Sequence, residues 1–277
     1  MEILSELKIV RWGVDEYNEW ILSGSPENTK VTHLDISSNK LKGLLVLTNL
    51  PNLQILDCSD NKITTIEGLE LLNLQVLYCS CNQITTIEGL QLPNLQMLHC
   101  SFNQITTIEG LQLPNLQELY CGYNQITTIE GLELSNLQAL NCDDNQITKI
   151  EGLKLPKLQG LNCSNNQITV IEGLELPNLQ ILYCNDNQIT EIERLNLPNL
   201  QRLNCSNNQI REIRGLQLPN LQELYCFNNQ ITILSFMLST TLRRLYYSGN
   251  PVEYIAPNIQ RFLNRSNTSQ GVYNDSQ

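Results

Sequence analysis

One 21-residue phrase, L-Q-x-L-x-C-x-x-N-Q-I-T-x-I-E-G-L-x-L-P-N, recurs through most of this chain. Its asparagine falls at Asn61, Asn82, Asn103, Asn124, Asn145, Asn166, Asn187, Asn208 and Asn229, and degenerate copies at Asn39 and Asn250 bring the run to 11 units. A unit this short cannot bury its own apolar face, so the units must stack into one continuous solenoid. In each unit the stretch L-x-C, such as Leu119-Tyr120-Cys121, alternates inward and outward like a strand, and successive strands then lie side by side in parallel. The second half of the unit packs β-branched residues, a glycine and usually a proline into about a dozen residues, which disfavours an α-helix. The expected architecture is an α/β-type solenoid that is mostly β. It has a right-handed course, a parallel concave sheet, and extended or 3₁₀ structure with little or no helix on the convex side.

The repeat pattern divides the chain. Residues 1–30 do not fit it, and Val14, Tyr17, Trp20 and Ile21 have helical spacing, which predicts an N-terminal helical cap with Trp12 and Trp20 packed on the first repeat. The solenoid proper takes residues 31–250. Its first unit carries an extra residue between Asn39 and Asn61. Residues 251–265 contain a C-terminal cap helix with Pro257 in the first helical position, and the polar residues 266–277 read as a disordered tail.

Quoted as it stands, LPNLQELYCGYNQITTIEGL (residues 113–132) resembles the leucine-rich repeat family in its short 21- to 22-residue class, to which phosphatase-regulatory and internalin-like repeats belong. The cysteine-plus-N-Q-I-T unit, with the ending Asn250-Pro-Val-Glu-Tyr-Ile, is similar to the repeat proteins encoded by giant DNA viruses. The resemblance implies that the asparagine amide satisfies backbone groups of the turn. It also implies protein–protein recognition through the concave sheet.

Net charge is −11, from 17 Lys and Arg against 28 Asp and Glu. That argues against sequence-independent nucleic-acid binding, which needs a basic face, and is compatible with a basic protein partner, although acidity alone also keeps a protein soluble. The first residues lack a basic region followed by an unbroken apolar run, and no stretch approaches the ~20 apolar residues of a membrane helix. The expectation is a monomeric cytoplasmic protein, in the host cytoplasm if viral, with no membrane association.

Nine of the ten cysteines form one column at Cys58, Cys79, Cys100, Cys121, Cys142, Cys163, Cys184, Cys205 and Cys226. Metal ligands converge on a point, whereas a column at this period forms a line of side chains. It reads as a small buried hydrophobe rather than a zinc or iron–sulfur site, and Cys81 as an exposed thiol. The glutamates from Glu67 to Glu193 read as a solvated convex edge rather than a calcium site. His33 and His99 are the only histidines and lie several repeats apart, and no glycine-rich phosphate loop is present. The expectation is no enzyme, no cofactor and no metal.

Function is read from what varies. The segment ITTIEGL is copied unchanged at 63–69, 84–90, 105–111 and 126–132. The outward position between leucine and cysteine, by contrast, reads Asp35, Asp57, Tyr78, His99, Tyr120, Asn141, Asn162, Tyr183, Asn204, Tyr225 and Tyr246. The outward position two residues earlier includes Ile55, Val76 and Met97, expected to be exposed. A constant scaffold with one varied, tyrosine-rich face is the pattern of an interface, and is preferred here to drift. Tyr78, His99, Tyr120, Val76, Met97, Tyr183 and Tyr225 are the candidate partner-binding residues. The chain is thus expected to be a non-catalytic scaffold for a protein or peptide. A regulatory or targeting subunit of an intracellular enzyme such as a phosphatase, and a structural filler with no specific partner, stay open as alternatives.

Overall fold

The computed structural model describes residues 10–193, 195–214, 218–236 and 238–266. The expected disordered tail falls outside them, except for Ser266, which ends the C-terminal helix. The chain forms two compact units, Met1–Ile126 with Leu132–Leu137, and Thr127–Gly131 with Gln138–Gln277.

In the first unit the strands Val10–Arg11, His33–Asp35, Ile55–Asp57, Val76–Tyr78, Met97–His99 and Glu118–Tyr120 pair in that order, all parallel. The register is constant, so Leu34, Leu56, Leu77, Leu98 and Leu119 form one inward line. In the second unit Ala139–Asn141, Gly160–Asn162, Ile181–Tyr183, Arg202–Asn204, Glu223–Tyr225 and Arg244–Tyr246 do the same, with Leu140, Leu161, Leu182, Leu203, Leu224 and Leu245 in line. Each repeat strand thus places one leucine in the core between two outward neighbours, half-exposed except for the exposed Arg244 in the last strand.

The return segments are extended. The first unit pairs Lys42–Leu44 with Lys62–Thr65, and a register shift between Gly43 and Leu44 leaves Thr64 of the later strand unpaired as a bulge. In the second unit Val170–Ile171, Glu191–Glu193, Glu212–Arg214, Ile233–Leu234 and Tyr254–Ile255 form a second parallel sheet. Glycines such as Gly68 and Gly89 turn the chain at φ of +82° and +76°, where a Cβ would be strained.

The asparagine column is the internal frame. The Asn103 amide donates to the carbonyls of Cys79 at 3.1 Å, Cys100 at 3.0 Å and Ser101 at 3.2 Å, while its oxygen accepts from the Ile84 N–H at 2.9 Å. One side chain therefore closes its own turn and ties it to the preceding one, as the resemblance implies. A second column, the asparagine of L-P-N, has a role that periodicity alone does not reveal. Asn115 donates to the Pro93 carbonyl at 2.8 Å, and Asn178 to that of Pro156 at 2.7 Å.

Two helices flank the repeats. Helix α1, Val14–Leu22, buries Tyr17 and Trp20, and the Tyr17 hydroxyl donates to the Val46 carbonyl at 3.2 Å. Trp12 is half-buried, its ring 5.4 Å from that of Trp20. Ahead of α1 the strand Val10–Arg11 covers the first repeat strand, with Arg11 paired to Asp35 at 2.9 Å. It satisfies a sheet edge that would otherwise be open. Being outside the repeat, it carries no periodic signal. Helix α2, Pro257–Ser266, buries Ile259 and Leu263.

Candidate functional site

The constant register brings the varied outward residues of neighbouring turns into contact. In the first unit Tyr78 and His99 lie 5.1 Å apart between ring centroids, and His99 stacks on Tyr120 at 4.1 Å and 23°. The Tyr78 hydroxyl reaches the Met97 sulfur at 3.9 Å, and the Tyr120 hydroxyl donates to Glu118 at 2.7 Å. Tyr78, His99, Tyr120, Val76 and Met97 thus belong to one continuous patch. All five are half-buried. Ile55, Val76 and Met97, expected to be exposed, are half-buried instead, side by side in register on adjacent strands. Burial among the rings holds the His99 imidazole below its ordinary pKa, against the pull of Glu118. The hydrogen bond to Glu118, with burial, pushes the Tyr120 hydroxyl up to about 12. The row thus sets the imidazole between the rings of Tyr78 and Tyr120, where burial disfavours its charged form.

Tyr183 and Tyr225 belong to the second unit and have a different setting. The Tyr183 hydroxyl accepts from Arg202 at 3.0 Å, Arg202 pairs with Glu223 at 2.8 Å, and Arg244 pairs with the same carboxylate at 2.9 Å. Tyr225 donates to Glu223 at 2.9 Å and stacks on Tyr246 at 4.6 Å and 6°. Burial alone would raise the Glu223 carboxyl. The hydrogen bonds from Tyr225 and Arg202 outweigh it and hold the group below the usual carboxylate range. These tyrosines sit in a closed polar network. The sequence contained this signal, since Arg202, Glu223 and Arg244 alternate in sign at the same position of consecutive turns.

A further pair escaped the sequence reading. Phe102 and Tyr123 sit just before the frame asparagines and stack at 4.2 Å and 11°. They are 51% and 47% exposed. Both occupy the left-handed backbone region, φ +56° and +54°, as do their counterparts Asp144, Asn165, Asp186, Asn207 and Asn228. Asn and Asp tolerate that conformation, whereas an aromatic residue there is strained.

Among the described residues no group of three or more His, Cys, Asp or Glu is placed to hold a metal ion, and no helix is long and apolar enough to cross a membrane.

A family model described as Leucine Rich repeats, in two copies, matches residues 29–71, 72–113, 114–155, 156–197 and 198–238. The chain belongs to the leucine-rich repeat family. It forms a solenoid of about eleven turns, with mostly strands and two short helices among the described residues. It is similar to an internalin (inlF) from Listeria monocytogenes, with 25% identity and a TM-score of 0.68 over 90% of this chain and 82% of that one. The FLRT2 repeat domain, solved in an octameric complex with Latrophilin 3 and Unc5D, shares 29% identity and a TM-score of 0.62 over 73% of this chain and 69% of that one. The functional domain of InlJ from Listeria monocytogenes, described as including a cysteine ladder, has the same fold at 24% identity and a TM-score of 0.59, over 82% of this chain and 63% of that one. No curated protein matches the chain.

In this leucine-rich repeat chain the nine column cysteines are buried, and Cys81 is exposed. The column adds something that a plain hydrophobe would not. Cys58 and Cys79 donate their thiols to the Tyr78 and His99 carbonyls of the next turn, each at 3.3 Å. Burial pushes Cys100, Cys163 and Cys205 up to about 12. A bulky thiol reagent should therefore label Cys81 under native conditions while the column reacts only after denaturation. Peptide mapping checks this. Rapid native labelling of several column cysteines would reverse the inside–outside assignment.

Proposed function

We propose that this leucine-rich repeat protein is a non-catalytic scaffold that recognises a protein or peptide on its concave sheet. The observation that carries the reading is the stacked row Tyr78–His99–Tyr120, flanked by Val76 and Met97. Aromatic side chains give large contact area with a polar tip and dominate binding energy at interfaces. Neighbour contacts already fix these rings, which lowers the ordering cost on binding. Assembly of the FLRT2 repeat domain with other proteins gives the reading a precedent on a related fold. The cysteine and N-Q-I-T run of the unit supports a place among the giant-virus repeat proteins, and with it a partner in a host cytoplasm.

The test compares two double variants for binding to a partner captured from lysate. Tyr78→Ala with Tyr120→Ala should keep the fold but weaken binding more than tenfold, equivalent to about 1.4 kcal/mol. Glu88→Gln with Glu109→Gln, on exposed return-side positions, should leave it unchanged. The opposite outcome would move the ligand to the convex side.

A further inference from the structure

We infer that the first unit takes a basic, arginine-bearing extended segment of its partner, using Phe102 and Tyr123 together with the sheet-face row. The inference rests on the binding-scaffold reading and specifies the chemistry of the partner.

Three observations support it. First, the structure accepts strain to expose aromatic faces. Phe102 and Tyr123 stand at positive φ where Asn165, Asn207 and Asn228 hold the equivalent place. Local rules broken at an exposed position point to function rather than folding. The turn is rigid, because the Phe102 N–H donates to the Gly122 carbonyl at 3.0 Å and the Phe102 carbonyl accepts from Asn82 N–H at 3.2 Å. Second, the two rings stack face to face at 4.2 Å and 11° and are about half exposed, so each is held by the other and has its outer face left for a ligand. Planar guanidinium groups stack on such faces and also bond carboxylates in a fork, which an ammonium cannot do. Third, the charge is complementary. The sheet face and strand ends of this unit carry Asp57, Asp60 and Glu118, while the sheet-face cation Arg11 is already paired with Asp35. An acidic segment would be repelled by these carboxylates, whereas a basic one supplies the opposite charge that their neutral donors, the Ser59 N–H for Asp57 and the Tyr120 hydroxyl for Glu118, do not.

The natural scaffold supplies a clean variant. Phe102→Asn with Tyr123→Asn restores the residue that other turns use, so it should fold at least as stably as the parent. Binding is read by fluorescence anisotropy of labelled peptides at physiological salt. One alternates arginine and serine, a second lysine and serine, and a third glutamate and serine. The arginine peptide should bind saturably, the lysine peptide at least fivefold more weakly, and the glutamate peptide should not bind. The asparagine double variant should lose at least tenfold for the arginine peptide. Equal binding of arginine and lysine peptides, or full binding by the asparagine variant, would overturn the inference by reducing it to nonspecific charge attraction. So would no binding of the arginine peptide to the parent. If the captured partner still depends on Tyr78 and Tyr120 in that case, the scaffold reading stands and only the partner chemistry fails.

Discussion

Leu140→Asp should unfold the repeats around it. Leu140 is 2% exposed and lies in register with Leu161 in the next turn. The substitution removes a buried aliphatic side chain, worth about 2–5 kcal/mol, and places a carboxylate where no cation or donor can meet it, costing several kcal/mol more. Adjacent turns share their core and their hydrogen bonds, so the loss spreads along the stack. A chain of this size loses about 2–4 °C in melting temperature per kcal/mol, so the drop should exceed ~10 °C, read by circular dichroism. A variant melting within a degree or two of the parent would contradict the stacking of the leucine line.

A neutral truncation should also be clearly destabilising when it strikes the asparagine frame. In Asn103→Ala the Ile84 N–H loses its acceptor and stays buried. The carbonyls of Cys79 and Cys100 keep the amides of Asn82 and Asn124 respectively, so the main penalty is that orphaned donor plus the lost bonds. A buried unpaired donor costs about 1–3 kcal/mol and each lost bond about 1, which sums to roughly 3 kcal/mol or more. Asn115→Ala removes one exposed bond, to the Pro93 carbonyl, and should cost about 1 kcal/mol or less. Urea midpoints of the two variants separate these values. Equal shifts would mean that the Asn103 bonds contribute no more than a surface contact.

How much was legible in the sequence follows from what repeats. The inward leucines and cysteines, the asparagine frame and the extended return segments all recur at a fixed offset. One pattern therefore predicts every turn. Constant register also made the contact of Tyr78, His99 and Tyr120 foreseeable, because equal spacing puts equivalent positions side by side. Other features were hidden, wholly or in part, for physical reasons. Thiol donation to the next turn's carbonyl depends on strand separation, which letter patterns do not carry. The alternating signs of Arg202, Glu223 and Arg244 were there to be read, but which groups bond depends on side-chain reach across turns. The strain at Phe102 and Tyr123 is a matter of backbone angle, visible in the sequence only as aromatics where most turns keep Asn or Asp. The strand Val10–Arg11 has no repeat to announce it.

The central claim is that the aromatic sheet face of the first unit contacts the partner. Photo-cross-linking tests it most directly, with benzoylphenylalanine placed at Tyr120 in one variant and at Gln112, exposed on the return side, in another. Both are mixed with the captured partner and irradiated. The account predicts a covalent adduct from the Tyr120 position and none from the Gln112 position. Adduct from Gln112 without adduct from Tyr120 would contradict it.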